Sequence, residues 1–460
     1  MKSKGVSHAL TALIVLLAAL SAFTQIRRAA SAPKGRSTVE LTMLAKLAVV
    51  GASVPGTIAD AYEAPLVEAL DKAAASENQT DQARALRRKA IWCAYRRQMC
   101  TQSALTSLGQ LPPEVRVPAP ADEADVLREV LLGPVLQDRR AHLEQRLTEI
   151  RVGYFDVLLK AVLLRNLGDE SGARAAEERA IQAGWVVLGA LFLFGFLLLS
   201  GALAWLITLF SPGKIFQTLR TGLRADPSSK VPEPTAGSRY LAVVAVFFAA
   251  SLALPFVVSG LKSPSSPQST VLVTLVAELF LLAVVGCAHY AFCTRANLPL
   301  GLTGVPLRRS IKVGVFSYLL VWPPLLIVMM PLSALFERLG LPSHTHPLID
   351  NLQSDNHFLT FVLWAVIAAV MAPIVEEVVF RGALQTGIAT AYSAKLAPFA
   401  TAFLFAIVHP QVGLGLVGVF FLGIMLSLVK VHEKALGPSM VMHALNNLVA
   451  LLMAKALLLN

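Results

Sequence analysis

Three short segments near the C-terminal end of the chain place ionisable side chains within otherwise apolar sequence. The first, 372–382, reads APIVEEVVFRG and sets Glu376 and Glu377 side by side, with Arg381 four residues after Glu377. Charged side chains are costly inside a membrane and usually face a bundle interior or a wet cavity. The segment is therefore a candidate for catalysis.

Helical geometry predicts different roles for the two glutamates. Adjacent residues on an α-helix point about 100° apart, so Glu376 and Glu377 cannot serve one site from the same face. Glu377 and Arg381 stand at i and i+4 and can form an ion pair. Glu376 is then left to face elsewhere, where a carboxylate in a poorly solvated cavity is suited to act as a general base.

The other two segments contribute imidazoles. Residues 405–409 (FAIVH) carry Phe405 and His409, and residues 443–447 (HALNN) carry His443 and Asn447 on one helical face. A single membrane histidine is more often a packing residue, but three such segments favour a common site. If the basic stretches 381–395 and 430–434 are cytoplasmic, a rise of 1.5 Å per residue puts Glu376 about 10 Å inward of the first and His443 about 10 Å inward of the second. His409 would lie about 20 Å inward of Lys395. His409 is the least well placed of the three.

Composition and segment lengths predict the elements that position these residues. Hydrophobic residues make up 55% of the 460 and charged residues only 15%, which excludes an ordinary soluble enzyme. About 20 helical residues cross a hydrocarbon core. We therefore predict an all-α, polytopic membrane helical bundle with about eight C-terminal spans, at 185–210, 240–261, 269–293, 311–336, 358–380, 395–409, 413–431 and 438–459.

Loop charges predict the topology and the surroundings. The net charge is +11, and its basic residues are spread among the loops between spans, which favours contact with membrane lipid and argues against nucleic acid. Lys and Arg gather on the cytoplasmic side of a membrane. The basic loop 212–239 is therefore expected inside and residues 52–183 outside the cytoplasm. A signal-like N-terminus followed by an exported domain favours an integral protein of a bacterial plasma membrane.

The region before the core spans divides into three parts. Residues 1–32 have basic residues, an apolar stretch and a small-residue ending, which fits either a signal peptide or a membrane anchor. Residues 52–183 are expected to form a small exported helical domain, faintly tetratricopeptide-like at its end, that could bind a protein partner. Residues 185–211 would link it to a core domain over 240–459.

Two cysteines lie in the predicted exported domain. Cys93 and Cys100 are seven residues apart, which on one continuous helix separates their Cα atoms by about 10.5 Å. That distance is too long for a disulfide. We expect a bond only if the helix is broken between them.

The three motifs, in this order, resemble those of the CPBP family (CAAX proteases and bacteriocin-processing enzymes, also called Abi), which includes the type II CAAX prenyl endopeptidases. The resemblance covers about residues 240–459 and implies an intramembrane endopeptidase. It implies that Glu376 activates a water and that His409 assists at this water, while His443 and Asn447 stabilise the oxyanion. Glu377, Arg381 and Phe405 would be supporting residues.

The resemblance leaves the cofactor and the substrate open. Glu376, His409 and His443 could form a His2Glu zinc site, whereas prenyl-protease members are described as glutamate-dependent, so we expect no obligatory metal. The substrate would be a protein or peptide: either a prenylated CAAX peptide or, given the signal-like N-terminus, one linked to bacteriocin maturation or immunity. The alternative function is a non-catalytic membrane scaffold or adaptor of the same fold.

Overall fold

The computed structural model describes residues 2–30, 38–54, 58–76, 78–116, 122–150, 152–210, 235–259, 266–302, 304–338, 357–411 and 413–458. Within these ranges the regular secondary structure is entirely helical. The predicted all-α class is therefore confirmed. Most of the predicted cytoplasmic loop 212–239, and the end of the N-terminal segment at 31–32, lie outside the described residues.

The chain divides into two compact units. The membrane unit comprises Met1–Ala32 and Phe194–Leu452, and the small unit comprises Pro33–Leu193 and Met453–Asn460. All residues of the three motifs belong to the membrane unit. The predicted exported segment 52–183 lies within the small unit.

The small unit is built from short helices around an apolar core. Asn78 begins one of them by accepting hydrogen bonds from the backbone N–H groups of Thr80 and Asp81, as an N-cap residue does. Trp92 and Phe155 are fully buried in the core. The helices are α2 (Thr38–Ser53), α3 (Ile58–Ala74), α4 (Gln79–Tyr95), α5 (Cys100–Gln110), α6 (Glu123–Leu132), α7 (Arg140–Ile150), α8 (Phe155–Asn166) and the first part of α9 (Glu170–Phe210).

The helix that would hold Cys93 and Cys100 apart is broken between them. Helix α4 ends at Tyr95, Arg97 takes a left-handed backbone conformation with φ of 58°, and the N–H of Gln98 donates to the carbonyl of Cys93. The break brings the two Cα atoms to 5.7 Å, and the cysteines form a disulfide. The sequence predicted a disulfide only if the helix is broken between the two cysteines, and the structure shows this break.

The membrane unit contains the long apolar helices. They are α1 (Lys2–Ala30), the second part of α9, α10 (Ala236–Ser259), α11 (Pro267–Phe292), α12 (Leu307–Arg338), α13 (Phe358–Ala391), α14 (Leu396–Ile407), α15 (Leu414–Glu433) and α16 (Gly437–Leu458). All of these except α14 are long and apolar enough to cross a membrane, which makes eight candidates among the described residues. The polytopic helical bundle is therefore confirmed.

The eight candidate spans are distributed differently from the prediction. The predicted span 395–409 is the shorter helix α14, whose 12 residues extend about 18 Å. Helix α1 supplies the eighth candidate instead, through Gly5–Ala22. The other seven candidates correspond to the remaining predicted spans.

Two features of the membrane unit set the positions of the motif residues. Helix α13 widens into π-helical turns at Ile367–Met371 and Glu377–Leu384. Such turns are rare in proteins as a whole, but they are common at functional sites. Glycines allow close helix approaches: a Cβ at Gly423 on α15 would lie 3.1 Å from the Cα of Ala402 on α14, and one at Gly314 on α12 would lie 2.6 Å from the Cβ of Val441 on α16. These approaches bring the motif-bearing helices α14 and α16 against their neighbours.

Candidate active site

Glu376 lies at the meeting point of the three motifs. The Nε2 atom of His409 is 3.5 Å, and that of His443 3.6 Å, from the Oε2 atom of Glu376. This oxygen is buried and has no hydrogen-bond partner among the described residues. Side chains from α13, from the turn after α14 and from α16 thus converge on one carboxylate oxygen.

His409 reaches Glu376, with 3.5 Å between its Nε2 atom and Oε2, although the sequence predicts depths about 10 Å apart for the two residues. The 20 Å figure assumed a regular helix up to His409, but α14 ends at Ile407 and the histidine lies in the turn that follows. The side chain is therefore free of the helical register and reaches Glu376. The turn after α14 thus brings His409 to Glu376, which the estimate from a straight helix did not foresee.

Both imidazoles are oriented through their Nδ1 atoms. Nδ1 of His409 is 2.6 Å from the carbonyl oxygen of Phe405, and Nδ1 of His443 is 3.0 Å from Oε1 of Glu377. A carbonyl and a carboxylate accept hydrogen bonds, so each Nδ1 carries the donated proton. In the neutral form, each ring then presents the lone pair of Nε2 towards Glu376.

Glu377 and Arg381 form an ion pair behind the histidines. Nη1 of Arg381 donates to Oε1 of Glu377 at 3.0 Å, and Nη2 donates to the carbonyl of Gly423 at 3.2 Å. Both side chains have 0% exposure. Because an unpaired buried charge is strongly destabilising, Arg381 balances Glu377, and Glu377 in turn orients His443. The ion pair expected from the i, i+4 spacing is present.

Phe405 packs against both imidazoles and against the guanidinium of Arg381. Its fully buried ring has its centroid 4.1 Å from that of His409 and 5.7 Å from that of His443. The guanidinium carbon of Arg381 lies 4.2 Å from the same centroid, within the range of a cation–π interaction. The aromatic residue of the second motif thus fixes both imidazole rings.

Asn447 joins α16 to α13. Its Nδ2 atom donates to the carbonyl of Ala368 at 2.9 Å, in the first wide turn of α13. Asn446 donates to Oδ1 of Asn447 at 3.3 Å. A side-chain amide has two N–H groups, so one remains for a further acceptor. Asn447 lies one helical turn after His443 on α16. Its hydrogen bond to Ala368 fixes its side chain against α13, and the structure gives it no hydrogen bond to Glu376.

One acidic residue near the site does not belong to any motif. Glu278 lies on α11, which packs against α13, and its half-buried carboxylate is near enough to Glu376 for the two groups to interact electrostatically. The sequence reasoning missed it. The signal was available, because Glu278 is the one acidic residue in the apolar segment 269–293 and intramembrane acids are functional candidates.

The predicted zinc alternative has a donor set of the right type. Two histidines and a glutamate can bind zinc and leave a position open. Among the described parts of the chain, however, no group of three or more His, Cys, Asp or Glu side chains is arranged to hold a metal ion. The mechanism proposed below is written with the protein's own groups.

The fold and the site together define a polytopic helical membrane protein with a buried centre of carboxylates and imidazoles. Residues 358–449 match the family model described as type II CAAX prenyl endopeptidase Rce1-like. The match includes every residue of the three motifs, and it confirms the resemblance to the CPBP family over this part of the chain. No curated protein matches the chain, and no solved structure does.

Proposed function

We propose that the protein is an intramembrane endopeptidase that hydrolyses a peptide bond with a water activated by Glu376. The observation that carries the proposal is the convergence of two Nε2 atoms on the unpartnered oxygen of Glu376, at 3.5 and 3.6 Å. These separations are long for direct hydrogen bonds. A water can bridge polar groups at such distances.

The proposed first step is attack of water on the peptide carbonyl. The water donates one hydrogen to Oε2 of Glu376 and the other to Nε2 of His409, whose Nδ1–H is held by Phe405. As the water oxygen bonds to the carbonyl carbon, Glu376 takes its proton and the carbonyl becomes a tetrahedral oxyanion. Glu376 then returns this proton to the leaving amine, so the peptide C–N bond breaks to give an acid and an amine.

The oxyanion requires hydrogen-bond donors. Asn447 has one N–H group beyond its bond to Ala368. His443 can donate from Nε2 only as an imidazolium, because its Nδ1 proton is already given to Glu377. The buried carboxylate of Glu377 stabilises that cation. We therefore assign His443, in its charged form, and Asn447 to the oxyanion.

The substrate class proposed is a protein or peptide segment that reaches the site within the bilayer. The match to a CAAX endopeptidase model favours cleavage near a peptide C-terminus. A prenylated peptide and a bacteriocin-type precursor both fit this description. Residues 52–183, proposed to lie outside the cytoplasm of a bacterial plasma membrane, would bind a partner or present the substrate.

The test compares peptide termini in cells that carry the wild-type protein, Glu376→Gln, or a complete deletion. Glu376→Gln keeps the shape of the side chain and removes the base. Glu68→Gln makes the same chemical change at an exposed position of α3 and serves as the matched control. We expect termini that occur with the wild type and Glu68→Gln and are missing with the other two.

The same comparison can contradict the proposal. If Glu376→Gln yields the wild-type termini, Glu376 is not the base. If Glu376→Gln also corrects the defect caused by the deletion, the scaffold or adaptor function is the better account. The identified termini would in addition separate prenylated from unmodified substrates by their mass.

A further inference from the structure

Three polar contacts connect α13 to α15 at intervals of about one helical turn. Nη2 of Arg381 donates to the carbonyl of Gly423, and Nε2 of Gln385 donates to the carbonyl of Ser427 at 3.1 Å. Nζ of Lys430 then donates to Oγ1 of Thr386 at 3.0 Å. We call the six residues that make these contacts the polar seam: Arg381, Gln385, Thr386, Gly423, Ser427 and Lys430. Elsewhere in the described part of the membrane unit, buried apolar side chains pack in two clusters.

The polar seam contains more hydrogen-bonding capacity than its protein partners use. Nε of Arg381, Oε1 of Gln385 and Oγ of Ser427 are buried and have no partner among the described residues. The three side chains are at most 1% exposed. Unpartnered buried groups that lie together are the usual partners of internal waters.

The two ends of the polar seam differ in exposure. At one end, Thr386 and Lys430 are only partly buried, near the end of α15 at Glu433, where Arg309 forms an ion pair with 62% exposure of its side chain. At the other end, Arg381 binds Glu377, which holds His443 against Glu376. The seam therefore leads from a solvent-accessible helix end to the candidate active site.

We propose that the polar seam is a hydrated passage that supplies water to Glu376, with Gln385 and Ser427 as positioning residues for that water. The role in hydrolysis rests on the proposed function. The hydration does not, and it can be tested without any assay of activity.

The experiment measures access of silver ions to a cysteine at the seam. Ser427→Cys is placed in a chain that carries Cys287→Ala and Cys293→Ala, and Leu426→Cys in the same chain is the matched control. Leu426 has the same 0% exposure on the same helix, but it packs in an apolar cluster with Tyr318 and Met442. The full-length protein in lipid nanodiscs is treated with silver nitrate, then unfolded and alkylated, and the unblocked thiol is quantified by mass spectrometry.

We expect silver to block Ser427→Cys at least tenfold faster than Leu426→Cys. Equal protection of both thiols would overturn the proposal, because the seam would then be dry. Equal blocking of both would also overturn it, because general opening of α15 would explain the reaction.

A second measurement tests the link to hydrolysis. Gln385→Met replaces the amide with an apolar chain of similar length, and we expect kcat to fall about tenfold with KM unchanged and with silver access to Ser427→Cys reduced. Unchanged kcat with reduced access would overturn the water-supply role. If the Glu376→Gln comparison showed no proteolysis while silver still distinguished the two thiols, the proposed function would fail and the hydrated passage would stand.

Discussion

The two units of the molecule each bury an ion pair, and the two pairs end differently. In the small unit, Arg87 donates from Nε and Nη2 to both carboxylate oxygens of Glu123, so each of these oxygens accepts from the guanidinium. In the membrane unit, the pair of Glu377 and Arg381 extends through His443 to Glu376, whose Oε2 atom has no hydrogen-bond partner. The pair of Arg87 and Glu123 joins α4 to α6, whereas a network that ends on a carboxylate oxygen without a hydrogen-bond partner can exchange a proton with a substrate.

The surroundings of the two pairs reinforce this difference. The small unit carries further Arg–carboxylate pairs at its surface, among them Arg139 with Glu129. The side chains of this pair are more than a third exposed, unlike those of Arg87 and Glu123. The membrane unit concentrates charged groups around one interior site, where their desolvation is costly. Such buried charges in a membrane protein are candidates for a functional role.

The largest expected effects separate the two buried glutamates. Glu376→Gln should lower the rate of peptide cleavage by about 10²–10⁴-fold and leave thermal stability unchanged, because its Oε2 makes no protein hydrogen bond. Glu123→Gln should lower the unfolding free energy of the small unit by about 3–5 kcal/mol, because Arg87 loses its buried counter-charge, and leave cleavage unchanged in folded protein. Thermal proteolysis and a cleavage assay on the two purified variants measure both. If both variants lost cleavage activity while folded, the proposed difference between a catalytic Glu376 and a structural Glu123 would be wrong.

The disulfide tests whether stability of the small unit is independent of the candidate site. Removing it with Cys93→Ser and Cys100→Ser should destabilise the small unit by about 2 kcal/mol, at the low end for disulfides because the closed loop is short. Peptides from 58–166 should be released at lower temperature in thermal proteolysis, and peptides from 357–411 should not shift. Treating the wild type with a reductant is the control and should reproduce the double variant.

A buried lysine makes the small unit sensitive to pH. Nζ of Lys46 on α2 donates to the carbonyl of Leu457 at 2.8 Å, and burial, with a contribution from Lys455, lowers the pKa of Lys46 to about 7. An unfolded lysine keeps its proton up to about pH 10.4, so unfolding takes up a proton between these values and stability rises with pH. We expect the melting temperature of the small unit to rise by on the order of 5 °C from pH 7 to pH 9.5. Lys46→Met should flatten this dependence, and an equally steep curve in that variant would assign it to another group.

The smallest effect is expected at the surface. Arg139→Met removes the pair with Glu129, in which both side chains are more than a third exposed. It should leave the unfolding free energy of the small unit almost unchanged, because water and salt screen an exposed pair. The dependence on salt should be equally weak in wild type and variant. A larger loss, seen in denaturant unfolding followed at peptides from the small unit, would show that its surface pairs act as a network.

The residues of the candidate site could be predicted from sequence to a large extent. A charged residue in an apolar run is visible without a structure, which is how Glu376, His409 and His443 were found. The pairing of Glu377 with Arg381 followed from helical spacing alone. Glu278 was equally visible but was passed over, because it belongs to no recognised motif.

Other features could not be read along the chain. Tyr95 to Cys100 contain neither Gly nor Pro, so nothing local announces the break that lets Cys93 bond to Cys100. The reach of His409 depends on where α14 ends, and the hydrogen bond of Asn447 depends on a wide turn 79 residues earlier. Each of these results from contacts with distant residues.

The sequence by itself determined the all-α class, most of the spans and the residue types of the site, because apolar length and helical spacing act over one or a few turns. Only the tertiary structure decided which atoms meet. The tautomers of both histidines, the central place of Phe405 and the polar seam arise where helices pack, at close approaches such as Gly423 against Ala402. Packing is decided by the fit of whole helix surfaces, and that information is distributed over the chain rather than held in any motif.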